Sequence, residues 1–134
     1  MRGRMRNINI IEFLSDAKTQ PIDTNFIEKL ENVYGANLDE YISRLLSYAP
    51  SGAFFEGDGA SRILSHNWIL DASDDMAVDF IKWQLIPVFD MLDNDFICYD
   101  VANENWCMFN IAEELKFNEG KALEGCLGVG GCEE

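Results

Sequence analysis

Histidine is almost absent from this chain: His66 is the only one in 134 residues. A Ser–His–Asp device needs an imidazole set between nucleophile and carboxylate, and Ser65, next in sequence, does not point that way by adjacency. His66, beside an expected helix start, reads as a surface side chain. Zinc fares no better, because a structural site takes four closely spaced Cys and His ligands. The four cysteines form no paired Cys-x-x-Cys arrangement. Cys98 and Cys107 lie inside apolar runs, where a free thiol behaves as a small buried hydrophobe. Cys126 and Cys132 fall in the glycine-rich end, Gly125 to Gly131. No metal and no cofactor is expected.

Positive charge is scarce as well, with 10 basic residues against 24 acidic and a net charge of −14. Arg2, Arg4 and Arg6 supply three of the ten, in a leader without interleaved aromatics. Between Asp71 and Glu104, nine carboxylates face only Lys82. Such a surface repels nucleic-acid phosphates and anionic membranes and favours a basic partner. It also serves plain solubility, and both readings stand.

Long apolar runs are missing too. Nothing approaches the roughly 20 residues that cross a bilayer. Ile8 to Ile11 is broken by Asn9, ends at Glu12 and has no small-residue cleavage site behind it, so neither a signal peptide nor a membrane span is expected. The expected location is the cytoplasm. Hydrophobic residues nevertheless make up 48% of the chain, which supports one packed domain rather than disorder.

What is present is a block of strands. Leu85-Ile86-Pro87-Val88-Phe89, Phe96-Ile97-Cys98-Tyr99 and Trp106-Cys107-Met108-Phe109 are short apolar runs parted by acidic, Asn-rich links. That pattern predicts consecutive antiparallel strands. Upstream, residues 8–17 read as a short helix. Asn25 and Glu28 have capping-box spacing before Phe26, Ile27, Leu30, Val33 and Tyr34, and Gly35 ends that helix. Asn37 and Glu40 repeat the pattern before Leu38, Tyr41, Ile42, Leu45, Leu46 and Ala49, with Pro50 as the stop.

Ala53–Glu56 and Ala60–Leu64 read as strands around a Glu56–Gly59 turn. Ser65 caps a short helix to about Ala72 that carries Trp68, Ile69 and Leu70 inward. Ser73–Asp79 is expected to be a solvated acidic link. Ala112–Leu123 reads as a last helix or helical turn. The organisation is thus a basic leader (1–7) open to disorder, one domain (8–123) and a mobile Gly-rich tail (124–134). Helices first and strands later make an α+β fold with a mainly antiparallel sheet.

Other chemistry is not in evidence. Asp93-Asn94-Asp95 lacks the Gly and Glu that an EF-hand loop requires in register. Gly57-Asp58-Gly59 lacks the Lys and helix start of a phosphate loop. Carboxylate pairs of the glycosidase kind arise by chance in so acidic a stretch, and their separation is not written in a sequence.

The order of motifs does resemble a known group. A helix ending at Tyr48 and then Gly52, the junction Arg62-Ile63-Leu64-Ser65 with Ile69, the strand Leu85-Ile86-Pro87 and Asp95-Phe96-Ile97-Cys98-Tyr99-Asp100 together resemble the SUKH superfamily, in the branch of Smi/Knr cell-wall-regulator-like proteins. The resemblance covers roughly residues 21–115. Ala49-Pro50-Ser51-Gly52 replaces the Asn-Gly pair frequent there, and Leu92-Asp93-Asn94 stands where glycines are usual. It implies N-terminal helices packed on a strongly bent sheet and a non-enzymatic role. Many bacterial members act as immunity proteins that silence a polymorphic or contact-dependent toxin, whereas fungal members are regulators working through protein contacts. The leading expectation is therefore an immunity protein for a basic toxin, a nuclease being one candidate. A regulatory interaction module with no toxin partner is the alternative. In the immunity reading, Asp74, Asp75, Asp79, Asp90, Asp93 and Asp95 would mimic phosphates over a cationic site, with Trp83 and Trp106 as anchors. Core packing is the competing role for both tryptophans.

Overall fold

A computed structural model describes residues 7–8, 10–48, 54–55, 62–91, 93–121 and 123. The strand block is as the sequence predicts: β4 (Leu85–Asp90), β5 (Asp95–Asp100) and β6 (Asn105–Asn110) pair antiparallel in succession. Around them the sheet extends to seven strands in sequence order. β1 (Asn7–Ile8) pairs parallel with β2 (Phe54–Phe55), and Phe54 pairs antiparallel with Arg62 of β3 (Arg62–Ile63). Asn7, read as the end of a free leader, is thus a strand residue. Residues 1–6, Ala49–Ala53, the Glu56–Gly59 turn, Ala60, Leu92 and the 124–134 tail with Cys126 and Cys132 lie outside the described residues.

The sheet is α+β by chain order, with α1 (Ile10–Ala17), α2 (Thr24–Tyr34) and α3 (Glu40–Tyr48) ahead of most strands. Their caps differ from the expected ones. Asp23, not Asn25, starts α2 by accepting from Phe26 N at 3.2 Å. Asp39, not Asn37, accepts from Ile42 N at 2.8 Å. In both, a short carboxylate reaches the N–H three residues on, which Asn25 and Asn37 are out of phase to do. Gly35 ends α2 at φ +66°, as expected. Phe26, Ile27, Leu30 and Tyr34 are buried, but Val33 is exposed.

Ser65 caps α4 (His66–Leu70) through Trp68 N, and Ile69 turns inward while Trp68 stays outside. The link expected over Ser73–Asp79 is instead partly helical, α5 (Ala72–Met76) entering it from the buried Ala72. Asp74 and Asp75 sit in its first turn, where negative charge suits the exposed N–H groups. Ser73 Oγ accepts from Phe80 N at 3.2 Å and ties α5 to α6 (Phe80–Trp83).

The last helix expected over Ala112–Leu123 is instead β7 (Leu115–Lys121), antiparallel to β6. Asn110 Oδ1 accepts from Glu113 N, Glu114 adopts φ +50°, and the chain doubles back. Lys116, which a helix there would set outside with Glu113, Glu114 and Lys121, instead faces inward to an ion pair.

Both faces of the sheet are covered. Phe89, in register with Ile97, meets Phe13 of α1 edge-on at 5.9 Å. Phe109, in register with Phe96, meets Phe80 and Trp83 of α6. Ile97 and Phe96 are neighbours in β5 and point to opposite faces, so α1 and α6 lie on opposite sides. This explains why β4 from Leu85 to Phe89 is buried throughout instead of alternating. The register shift between Pro87 and Phe89 lets a proline, which cannot donate to the ladder, sit in that strand.

Candidate functional site

Trp83 and Trp106, nominated together as anchors, cannot serve one partner surface. Trp106 is in register with Tyr99 and shares the Ile97 face, under α1, whereas Trp83 packs on Phe109 across the sheet. Trp106 is only 5% exposed, wedged against Tyr99 and Phe89, and belongs to the core. Trp83 is 38% exposed and keeps the surface role open.

The six nominated aspartates also separate. Asp79 Oδ1 caps α6 by accepting from Lys82 N at 3.1 Å. With Lys82, Trp83 and Glu114 it lines a concavity of about 500 Å³ between α6 and the β6–β7 turn. Asp74 and Asp75 are exposed on the adjoining α5. Asp90 and Asp93 line a second concavity of about 400 Å³ with Asn94, Phe96 and Ile111. Within it Asp90 is engaged, its Oδ2 held 2.7 Å from Arg62 Nη2. Asp95 is likewise engaged, accepting from Asn110 Nδ2 at 2.8 Å. The acidic segment is therefore two separate surfaces, and two of its carboxylates are tied up in strand pairing.

Much of the remaining acidity is structural. Asp23, Asp39 and Asp79 cap helices, and Asp100 accepts from Asn103 N in the β5–β6 turn. Asp100 is nearly buried and meets Lys116 Nζ at 2.7 Å. Burial pushes its carboxyl upward, but hydrogen bonds from Lys116 and Asn103 outweigh this and hold it below the usual range. The same bond raises Lys116 against its own partial burial.

His66 is not the surface side chain expected. Its ring stacks on Phe26 at 3.8 Å, and Nε2 donates to Leu46 O at 3.0 Å. A carbonyl only accepts, so Nε2 carries the proton. Nδ1 lies 3.8 Å from Asp23. The ring thus joins α2, α3 and α4, with no nucleophile against it among the hydrogen bonds described.

Glu114 escaped the sequence reading, because it reaches the site only through the β6–β7 turn that a helix there would preclude. Arg62 also escaped it: its guanidinium carbon lies 5.7 Å from the Trp68 ring centroid. Among the described residues, no group of three or more His, Cys, Asp or Glu side chains is placed to hold a metal. No described helix is long and apolar enough to cross a membrane. Compared with protein-family models, curated proteins and solved structures, the chain matches none. The class that fold and site define is accordingly an α+β domain with a part-exposed tryptophan in a concavity lined by two acids and a lysine.

Proposed function

We propose that this domain acts by binding another protein, as a bacterial immunity protein that neutralises a basic toxin without chemistry of its own. The observation that carries the reading is Trp83: a large aromatic left 38% exposed at a concavity it shares with Asp79, Lys82 and Glu114. An apolar anchor inside a charged rim is the usual anatomy of a binding hot spot. The resemblance to the SUKH superfamily supports immunity as the particular role, and the net charge of −14 supports a basic partner. Asp74, Asp75, Asp79 and Glu114 would steer the encounter, while Trp83 slows release. Trp106, Asp90 and Asp95 drop out of the working surface, since other contacts occupy them.

Co-expression with the product of the adjacent open reading frame tests the proposal. Rescue of growth and co-purification are the expected results. The association rate should fall as salt rises, because the steering charges are exposed. A complex whose association rate is indifferent to salt would remove the acidic steering. Absence of any toxic neighbour or complex would remove the immunity role in favour of a regulatory module.

A further inference from the structure

The chain contains two part-exposed tryptophans on short helices, and one of them is paired with an arginine. Trp68, 43% exposed on α4, carries the Arg62 guanidinium 5.7 Å from its ring centroid, inside the range for cation–π attraction. That guanidinium is oriented by a carboxylate, Asp90 Oδ2, at 2.7 Å. The arrangement is a three-part unit of indole, guanidinium and carboxylate.

Trp83 has two of the three parts. Asp79 and Glu114 line its concavity, yet among the described residues no guanidinium accompanies it. The cation that does line it, Lys82, projects from α6 itself and is exposed. Asp79 gives one oxygen, Oδ1, to the cap of α6, and its Oδ2 takes no part in that bond. An indole and two carboxylates thus line one concavity with no arginine of the described residues between them.

We infer that the concavity formed by Asp79, Trp83 and Glu114 receives an arginine side chain of the partner protein, its guanidinium laid against the indole and paired with the carboxylates. The inference rests on the protein-binding reading above and adds the chemical group recognised. Arginine fits better than lysine because its planar, weakly hydrated fork stacks on an aromatic ring and pairs with a carboxylate at once. A volume of about 500 Å³ holds such a side chain together with part of the backbone that carries it. Lys82 opposes the guest, so the site discriminates by a balance of two carboxylates against one ammonium.

A titration with acetyl-Gly-Arg-Gly-amide tests this, read at the three tryptophan indole N–H signals in nitrogen-15 correlation spectra, with Trp83→Phe giving the assignment. The neutral citrulline counterpart serves as control. The arginine peptide should move the Trp83 signal in a saturable way and leave Trp68, already occupied by Arg62, unmoved. Asp79→Asn with Glu114→Gln should weaken it by roughly tenfold, the loss of two charge-assisted partners on an exposed site. Asparagine caps a helix as well as aspartate, so α6 survives the change. Lys82→Gln should tighten binding by about twofold through relief of like-charge repulsion. No shift at Trp83, an equal shift with citrulline, or indifference to the double variant would each overturn the arginine seat. The outcomes are separable from those for the toxin. A toxin complex unaffected by Asp79→Asn with Glu114→Gln removes the seat and leaves the protein-binding reading standing, whereas a seated peptide without any toxin complex does the reverse.

Discussion

The carboxylate of Asp100 at the end of β5 meets the ammonium of Lys116 in β7 at 2.7 Å, reaching past the strand between them. Their side chains are 2% and 17% exposed. Glu119 Oε1 stands 3.6 Å from the same nitrogen, and Asn103 completes the shell of Asp100. The pair fastens the last hairpin to the sheet that carries the candidate site.

Removing one member strands the other. Asp100→Ala should cost about 3 kcal/mol of unfolding free energy, the low end for a broken buried pair because Lys116 keeps some solvent contact. The double change Asp100→Ala with Lys116→Met should recover much of that loss. Urea denaturation of the four proteins in the cycle measures both, and an additive result would show that the two groups do not interact.

The pair and the buried tyrosines also set a pH window. Asp100 is held below its unfolded value, so its stabilisation is complete above about pH 4 and is lost as pH falls through the lower folded value. Lys116 is raised, so its share is complete below about pH 10 and is lost as pH rises through its folded value. Tyr99 is pushed up to about 12, by burial first and by nearby Asp39, Glu104 and Asp100 after it. Tyr34, burying its hydroxyl on Leu85 O at 2.8 Å, is raised as well. Unfolded tyrosines release protons near pH 10 while these two retain theirs, so stability falls from about pH 10 upward. Phenolate absorbance should rise in two steps, the later one coinciding with loss of near-ultraviolet ellipticity.

The two tryptophans should respond differently to truncation. Trp106→Ala opens a cavity between Tyr99 and Phe89 and should cost about 3–5 kcal/mol. Trp83→Ala removes a half-exposed ring and should cost about 1 kcal/mol, with its larger effect on partner binding. Thermal unfolding of both variants beside a binding assay separates the roles. Equal stability losses would mean that Trp83 is a core residue after all.

His66→Ala should destabilise by about 1–2 kcal/mol, through loss of the ring stacked on Phe26 and of the bond to Leu46 O. Binding of the partner proposed for the Trp83 surface should stay within twofold. A large binding defect without a stability loss would instead mark His66 as functional.

Cys98 and Cys107 stand opposite one another in β5 and β6 and are both fully buried. In a Cys126→Ser, Cys132→Ser background, the native protein should resist a thiol reagent and take up two equivalents once denatured. Rapid labelling of the native form would show that β5 and β6 open locally.

The capping rule explains which local readings were legible. Ser65 and Gly35 act where short-range chemistry places them, because an oxygen three residues ahead of an N–H, or a glycine able to take φ +66°, operates within one turn. Asn25 and Asn37 failed by two residues, since several polar side chains near a helix start compete and only the backbone path selects one. Glu114 was illegible for a stronger reason: its place in the concavity depends on a hairpin closed by Asn110.

Sequence alone determined that this is an acidic, histidine-poor α+β domain with an antiparallel block over Leu85–Asn110, because apolar runs and their polar breaks are written at the length of single elements. Tertiary structure decided that Ala112–Leu123 contributes a strand, that Trp83 and Trp106 part company, and that the nominated carboxylates divide. Those outcomes turn on which face of a pleat each residue occupies. Register, a bulge at Pro87 and pairings such as Tyr34 with Leu85, 51 residues apart, settle that, and no local pattern encodes them.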